Sequence, residues 1–131
     1  MTLVVAALIR REDELLICQR APNKPMPLKW EFPGGKVEPG EELRAALARE
    51  LEEELGIRAE IEREVSTLRY VYRKDDFAVE LRFFEVTHFE GELQNLIFAD
   101  VRWEKLSRLV EYDFLDADLE LVQQIAAGGV L

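Results

Sequence analysis

All five prolines of this chain fall between positions 22 and 40 (Pro22, Pro25, Pro27, Pro33, Pro39), and Gly34, Gly35 and Gly40 lie among them. Proline fixes φ and removes a backbone donor, so no long helix or central strand runs through that stretch. It reads as one irregular loop with a few strand residues inside it. The rest of the 131 residues is proline-free and open to regular elements. That length is one ordinary domain, 1–131, with no repeat or linker, and it is enough to bury a core without disulfides.

The flanking patterns supply those elements. Leu3 to Ile9 is an apolar, β-branched run long enough for a buried strand, and Leu15 to Cys18 is a second, with Arg10 to Glu14 turning between them. Glu41 to Leu55 reads as a helix, because Leu43, Leu47, Leu51 and Leu55 recur every four residues on one side. Gly56 follows where a left-handed helix end wants glycine. From Arg58 to Phe89 the period becomes two, which predicts a long hairpin turning at Arg73-Lys74-Asp75-Asp76. Val101 and Trp103 suggest one more short strand. Asp116 to Ala127 reads as a closing helix with Leu119, Val122 and Ile125 inward. Strands, helix, strands, helix give an α+β domain, a mixed sheet packed between helices.

Charge and residue counts narrow the chemistry. With 27 acidic and 17 basic residues the net charge is −10. Such a chain is a poor partner for long nucleic acid or for anionic membrane, both of which need clustered Lys and Arg. A divalent cation arriving with a phosphate ligand reverses that argument. His88 is the single histidine and Cys18 the single cysteine, so a Cys/His zinc site is excluded. Cys18 sits in an apolar strand and reads as core. One cysteine suits a reducing compartment and predicts a cytoplasmic protein. No apolar run approaches the ~18 residues of a membrane span. Catalysis here would rest on carboxylates.

Those carboxylates are grouped. Glu50, Glu53 and Glu54 stand at i, i+3 and i+4 and project from one helix face, with the Leu stripe opposite. The pattern fits a plain solvated face, and it also fits an all-oxygen site for Mg²⁺ or Mn²⁺. Pro33-Gly34-Gly35 lies just upstream, where paired glycines let backbone approach a ligand closely.

Gly35, five residues, Glu41, seven residues, then Arg49-Glu50-Leu51-Glu52-Glu53-Glu54-Leu55-Gly56-Ile57 resembles the complete box of the Nudix hydrolases, residues 35–57, with every constrained position filled. The resemblance implies the Nudix fold and hydrolysis of a nucleoside diphosphate linked to another group. It implies that Glu50, Glu53, Glu54 and the Gly34 carbonyl hold divalent metal, Mg²⁺ or Mn²⁺. Glu53 or Glu50 would activate water, Arg49 would orient the glutamates, and Glu41 would support them.

The flanks resemble the MutT type, which cleaves nucleoside triphosphates to monophosphate and pyrophosphate. Trp30-Glu31-Phe32-Pro33-Gly34-Gly35-Lys36 and Cys18-Gln19-Arg20-Ala21 carry that likeness, which implies Arg20 on phosphate, Lys36 as a substrate contact and Glu31 as either a rim charge or a ribose contact. Phe114-Leu115-Asp116-Ala117-Asp118 resembles the base-reading segment, with Asp118 at the key position. An acid there leaves both a CTP-like and an oxidised substrate such as 8-oxo-dGTP open. The implied purpose is removal of damaged or surplus nucleotides by a monomer or homodimer. Ile97 stands where many relatives carry a further metal-binding glutamate, and Asn95 or Asp100 are candidate substitutes. The rivals are ADP-ribose hydrolysis, which often goes with a proline past the box that this chain lacks, and dinucleoside polyphosphate hydrolysis, which often goes with a tyrosine. Tyr70 and Tyr72 lie near that place, but both also fit an alternating strand. A non-catalytic nucleotide sensor commonly has a damaged box, and this box is intact.

Overall fold

A computed structural model describes residues 1–72 and 77–131. The hairpin turn expected at Arg73–Asp76 lies outside the described residues. At the centre, β1 (Thr2–Arg11) runs parallel to β7 (Phe77–Val86), paired from Thr2↔Val79 to Ile9↔Val86. β1 is apolar on both faces along Val4–Ile9 because both are covered, whereas β7 alternates Val79, Leu81 and Phe83 with Glu80 and Arg82. The sheet runs β3 (Trp30–Glu31), β2 (Glu14–Gln19), β1, β7, β6 (Glu64–Tyr72), with β4 (Gly34–Lys36) on β1 and β9 (Asp100–Lys105) on β2.

Two cores follow from the alternation of β1. Val5, Ala7 and Ile9 pack with Ala46, Leu47, Leu51 and Leu55 of α1 (Leu43–Leu55). Ala6 and Leu8 pack on the other side with Leu121, Val122 and Ile125 of α2 (Leu119–Ala126). The helix α1 is stopped as its sequence says: Glu42 caps the Ala45 N–H, and Gly56 takes φ 69° while its N–H returns to the Glu52 carbonyl.

Three expectations are corrected. The segment 58–89 is not one hairpin. β5 (Arg58–Glu60) and β8 (His88–Glu90) form a separate two-stranded sheet, and the β6–β7 register slips between Glu64 and Ser66. The break has a cause: the Glu62 carboxylate accepts from both the N–H and the hydroxyl of Thr87, at 2.5 and 2.7 Å. The C-terminal helix is preceded by a 3-10 turn at Asp116–Asp118, and its inward residue is Leu121, with Leu119 41% exposed. A further 3-10 helix at Leu106–Glu111 buries Leu109. No helix among the described residues is long and apolar enough to cross a membrane.

Candidate functional site

The loop of prolines delivers β4 edge-on to β1, with Ala6 opposite Gly34 and Val5 opposite Gly35. A Cβ on Gly34 would collide with the Val5 carbonyl, so glycine is what lets β4 lie there. A Cβ on Gly35 would stand 2.5 Å from the Glu50 carboxyl carbon. The helix carboxylates therefore sit directly against a side-chain-free strand.

The three glutamates share a face but not an environment. Glu54 is buried, and the Gly34 N–H donates to its Oε1 at 3.2 Å. Burial, then hydrogen bonding to Glu50 and the Glu50 charge, push its carboxyl up to about 9. Glu53 is 58% exposed, with Arg49 Nη1 at 3.4 Å. Arg49 ties the group together. It donates to Glu41 at 2.8 and 3.0 Å, to Glu50 at 3.0 Å and to the Lys36 carbonyl at 3.2 Å. The bidentate pair and the Glu38 N–H hold the Glu41 carboxyl down at about 2.

The donor chemistry fits a hard divalent cation. It is all oxygen, and two carboxyls lie so close that one of them retains a proton that a cation would displace. Among the described residues no three acidic, histidine or cysteine side chains enclose a single point. The guanidinium of Arg49 draws Glu53 and Glu50 toward itself instead.

One cavity of about 530 Å³ joins this acidic end to a second polar cluster. Gly34, Gly35, Lys36, Glu50 and Glu54 line it, and so do Arg20, Glu31 and Asp118. Arg49 and Glu53 are not among its lining residues. Backbone bonds bring Asp118 there: the Trp30 N–H donates to the Asp113 carbonyl at 2.9 Å and the Leu115 N–H to the Trp30 carbonyl at 3.0 Å. Arg20 donates to Glu31 at 3.0 Å and to the Pro25 carbonyl at 2.7 Å. Asp118 is buried, and its carboxyl is pushed up to about 8 by that burial and by Glu31, against the pull of Arg20. Burial also raises Glu31.

The other singled-out residues settle simply. Cys18 is fully buried and its thiol is raised by burial. Trp30 is buried, edge-on to Tyr112. His88 is exposed at a strand end. Ile97 lines the cavity. Neither candidate substitute is free, because Asn95 closes a turn onto Phe98, and Asp100 holds the Val101 N–H and Arg102. Lys24, Met26, Tyr72 and Phe77 also line the cavity, and no motif flagged the first, second or last of them. Glu62 fastens Thr87, and Glu64 makes a bidentate pair with Arg82.

Fold and site together define an α+β enzyme domain built round an acidic helix and one composite cavity. The chain belongs to the NUDIX family, matching the NUDIX domain over residues 1–125. A CTP pyrophosphohydrolase of Escherichia coli K12 is 36% identical over 124 residues, covering 95% of this chain and 90% of that protein. An 8-oxo-dGTP diphosphatase of the same organism is 33% identical over 123 residues, covering 93% and 94%. The solution structure of the E. coli ORF135 protein superposes with a TM-score of 0.85 at 35% identity, covering 97% of this chain and 89% of that one. Members of the family use a divalent metal, the kind of ion this donor set fits.

Proposed function

We propose that this protein is a MutT-type nucleoside triphosphate pyrophosphohydrolase that releases nucleoside monophosphate and pyrophosphate. The observation that carries the reading is one cavity lined both by Lys36, Glu50 and Glu54 and by Arg20, Glu31 and Asp118. A triphosphate calls for both kinds of group, cations and carboxylates for its charged chain and hydrogen-bonding side chains for its ring.

Glu50, Glu53, Glu54 and the Gly34 carbonyl are the proposed metal ligands, with Mg²⁺ as the working ion and Mn²⁺ as a substitute. Bound there, the ion would polarise phosphoryl oxygens and lower the pKa of water. Glu53 or Glu50 takes the proton of the attacking water. Arg49, fastened to Glu41, holds Glu50 and Glu53 beside the site, and both carboxylates would turn from its guanidinium toward a bound ion. Lys36 and Arg20 neutralise phosphate. Arg20 must first exchange Glu31 or Pro25 for that role.

For the base, Asp118 in its protonated form offers one donor beside one acceptor. Cytosine presents the complementary acceptor and amino donor side by side, which favours a CTP-like substrate. An oxidised purine is the second candidate, and Glu31 then serves as the acceptor. A reducing compartment such as the cytoplasm suits the buried, unpaired Cys18.

The test is a panel of canonical and oxidised triphosphates in Mg²⁺, followed by pyrophosphate release and ranked by kcat/KM. Turnover of a triphosphate supports the reading. Cleavage of ADP-ribose or dinucleoside polyphosphates alone, or binding without turnover, sinks it. Glu53→Gln is expected to lower kcat by roughly 10²–10⁴-fold with the fold retained.

A further inference from the structure

A second cleft, of about 660 Å³, opens at the other end of the central strands. Among the described residues it shares no lining side chain with the cavity above. That cavity meets β1 at Val4–Ala6 and β7 at Val79 and Leu81, and the cleft meets the same strands at Arg10, Arg11 and Glu85. Its floor is apolar. Phe89, Leu93 and Trp103 are only partly buried there, packed against the core between the sheet and α1. Its rim carries two arginines. Arg11 lies over the Trp103 ring, 4.1 Å from the centroid. Arg10 donates through Nε to the Glu12 carbonyl at 2.9 Å, bracing a turn in which Glu12 takes φ 56°. The opposite wall is also fixed, because Glu62 fastens the Thr87 hydroxyl at 2.7 Å and that hydroxyl meets Nδ1 of His88 at 2.9 Å.

We propose that this cleft is a second ligand site, taking a small molecule with an aromatic or apolar body and a single carboxylate, the carboxylate on Arg10 and Arg11 and the body over Phe89 and Leu93. Three observations carry it. Neither guanidinium is fully engaged. Arg11 gives Nη2 to Glu14 at 3.3 Å, and Arg10 Nη1 stands 3.9 Å from Glu85, too far for a hydrogen bond. Among the described residues their other terminal N–H groups have no partner, and an arginine fork pairs with a carboxylate through two parallel bonds. Second, the local charge is even. Arg10, Arg11 and Arg63 stand with Glu12, Glu14 and Glu85, and Glu85 is already met by Arg63 at 3.2 Å. Spare donors for one negative charge are present, whereas a phosphate chain finds no surplus of cations. The cleft is therefore no copy of the nucleotide cavity. Third, its size falls in the range of small-molecule sites, roughly 300–1,000 Å³, with an apolar lining and a few fixed polar groups.

A titration followed by ¹⁵N–¹H spectra of the full chain reads both affinity and place, with 3-phenylpropionate as the probe. Saturable shifts are expected at Arg11, Thr87–Phe89 and Leu93, with Gly34 and Gly35 unmoved. Propionate lacks the ring, 3-phenylpropanol lacks the charge, and phenyl phosphate carries a second charge. Each is expected to bind about tenfold more weakly, the scale of one lost charged hydrogen bond or of a lost apolar body. The Arg11 side chain is 58% exposed, so Arg11→Gln is expected to keep the wild-type melting profile and to lose about tenfold in probe affinity. Leu93→Asp, which puts a like charge in the floor, is the second variant and is expected to abolish binding. Shifts confined to Gly34 and Gly35, or no saturable shift, overturn the proposal. So does equal affinity for 3-phenylpropanol, or unchanged affinity in Arg11→Gln. The probe has no phosphate and the readout needs no turnover, so this inference and the proposed function fail separately.

Discussion

Asp118 shows how one side chain ties stability to recognition. Its carboxyl has the ordinary aspartate value of 3.8 in the unfolded chain, and in the folded protein it is pushed up to about 8. Between those values the unfolded state loses a proton and the folded state keeps one. The stabilisation is therefore complete below pH 4 and is lost as pH rises to 8, by about 1.4 kcal/mol per pH unit at most. Asp118→Asn cannot ionise. Its melting temperature is expected to fall less than that of the wild type between pH 4 and 8, and thermal denaturation across that range checks it. Equal slopes would mean that Asp118 is already ionised in the fold. Arg49 makes the complementary point about geometry. Its planar fork serves Glu41, Glu50 and a backbone carbonyl at once. A lysine keeps the charge but not the fork. Arg49→Lys is expected to fold normally and to lose roughly 10²-fold in kcat, comparable to removing one preorganised donor, in a pyrophosphate-release assay.

The strand β4 separates structural from functional glycine within two positions. Gly34→Ala drives a methyl into the backbone of β1, which cannot yield, so a loss of about 1–3 kcal/mol is expected in denaturant melts. Gly35→Ala meets only the end of the Glu50 side chain, which can swing away. That variant is expected to melt near the wild type but to lose turnover, because Glu50 is displaced. The reverse pattern would remove β4 from the site. Elements whose signals are local could be read from the chain: α1, with its Leu stripe and Gly56 stop, and β1, with its apolar run. What could not be read depends on distant partners. Nothing near Glu62 announces Thr87, and that contact ends one hairpin and begins another sheet. Leu119 and Leu121 stand about 200° apart on α2, so only one of them can face the sheet, and packing chooses Leu121. The glutamate cluster was legible from spacing, but its inequality was not. Glu54 is buried where α1 packs on β4 and the Gly34 N–H meets its carboxyl, a contact between residues 20 apart in the chain. The approach of Asp118 to Glu31 was equally hidden, since it is made by backbone bonds between Trp30 and residues 113–115.

At the scale of the molecule, the net charge of −10 is unevenly placed. Residues 35–57 hold seven acids and three bases, so −4 of it lies in 23 residues. A diffuse excess destabilises a compact chain by self-repulsion, and any salt relieves it by screening. A localised excess around Glu50 and Glu54 responds to a divalent ion at a site, which stabilises by mass action, about 2.7 kcal/mol when the free ion is a hundredfold above its Kd. The two are separable by a melt. Mg²⁺ is expected to raise the melting temperature well beyond NaCl of matched ionic strength. In Glu50→Gln/Glu54→Gln that advantage should vanish, while the response to NaCl remains. Should Mg²⁺ and NaCl act alike on the wild type, the acidic segment is only part of a charged surface, and the metal-site assignment falls with it. If instead the advantage is specific, the same carboxylates that make the isolated chain repel phosphate are the ones that, once neutralised, attract it.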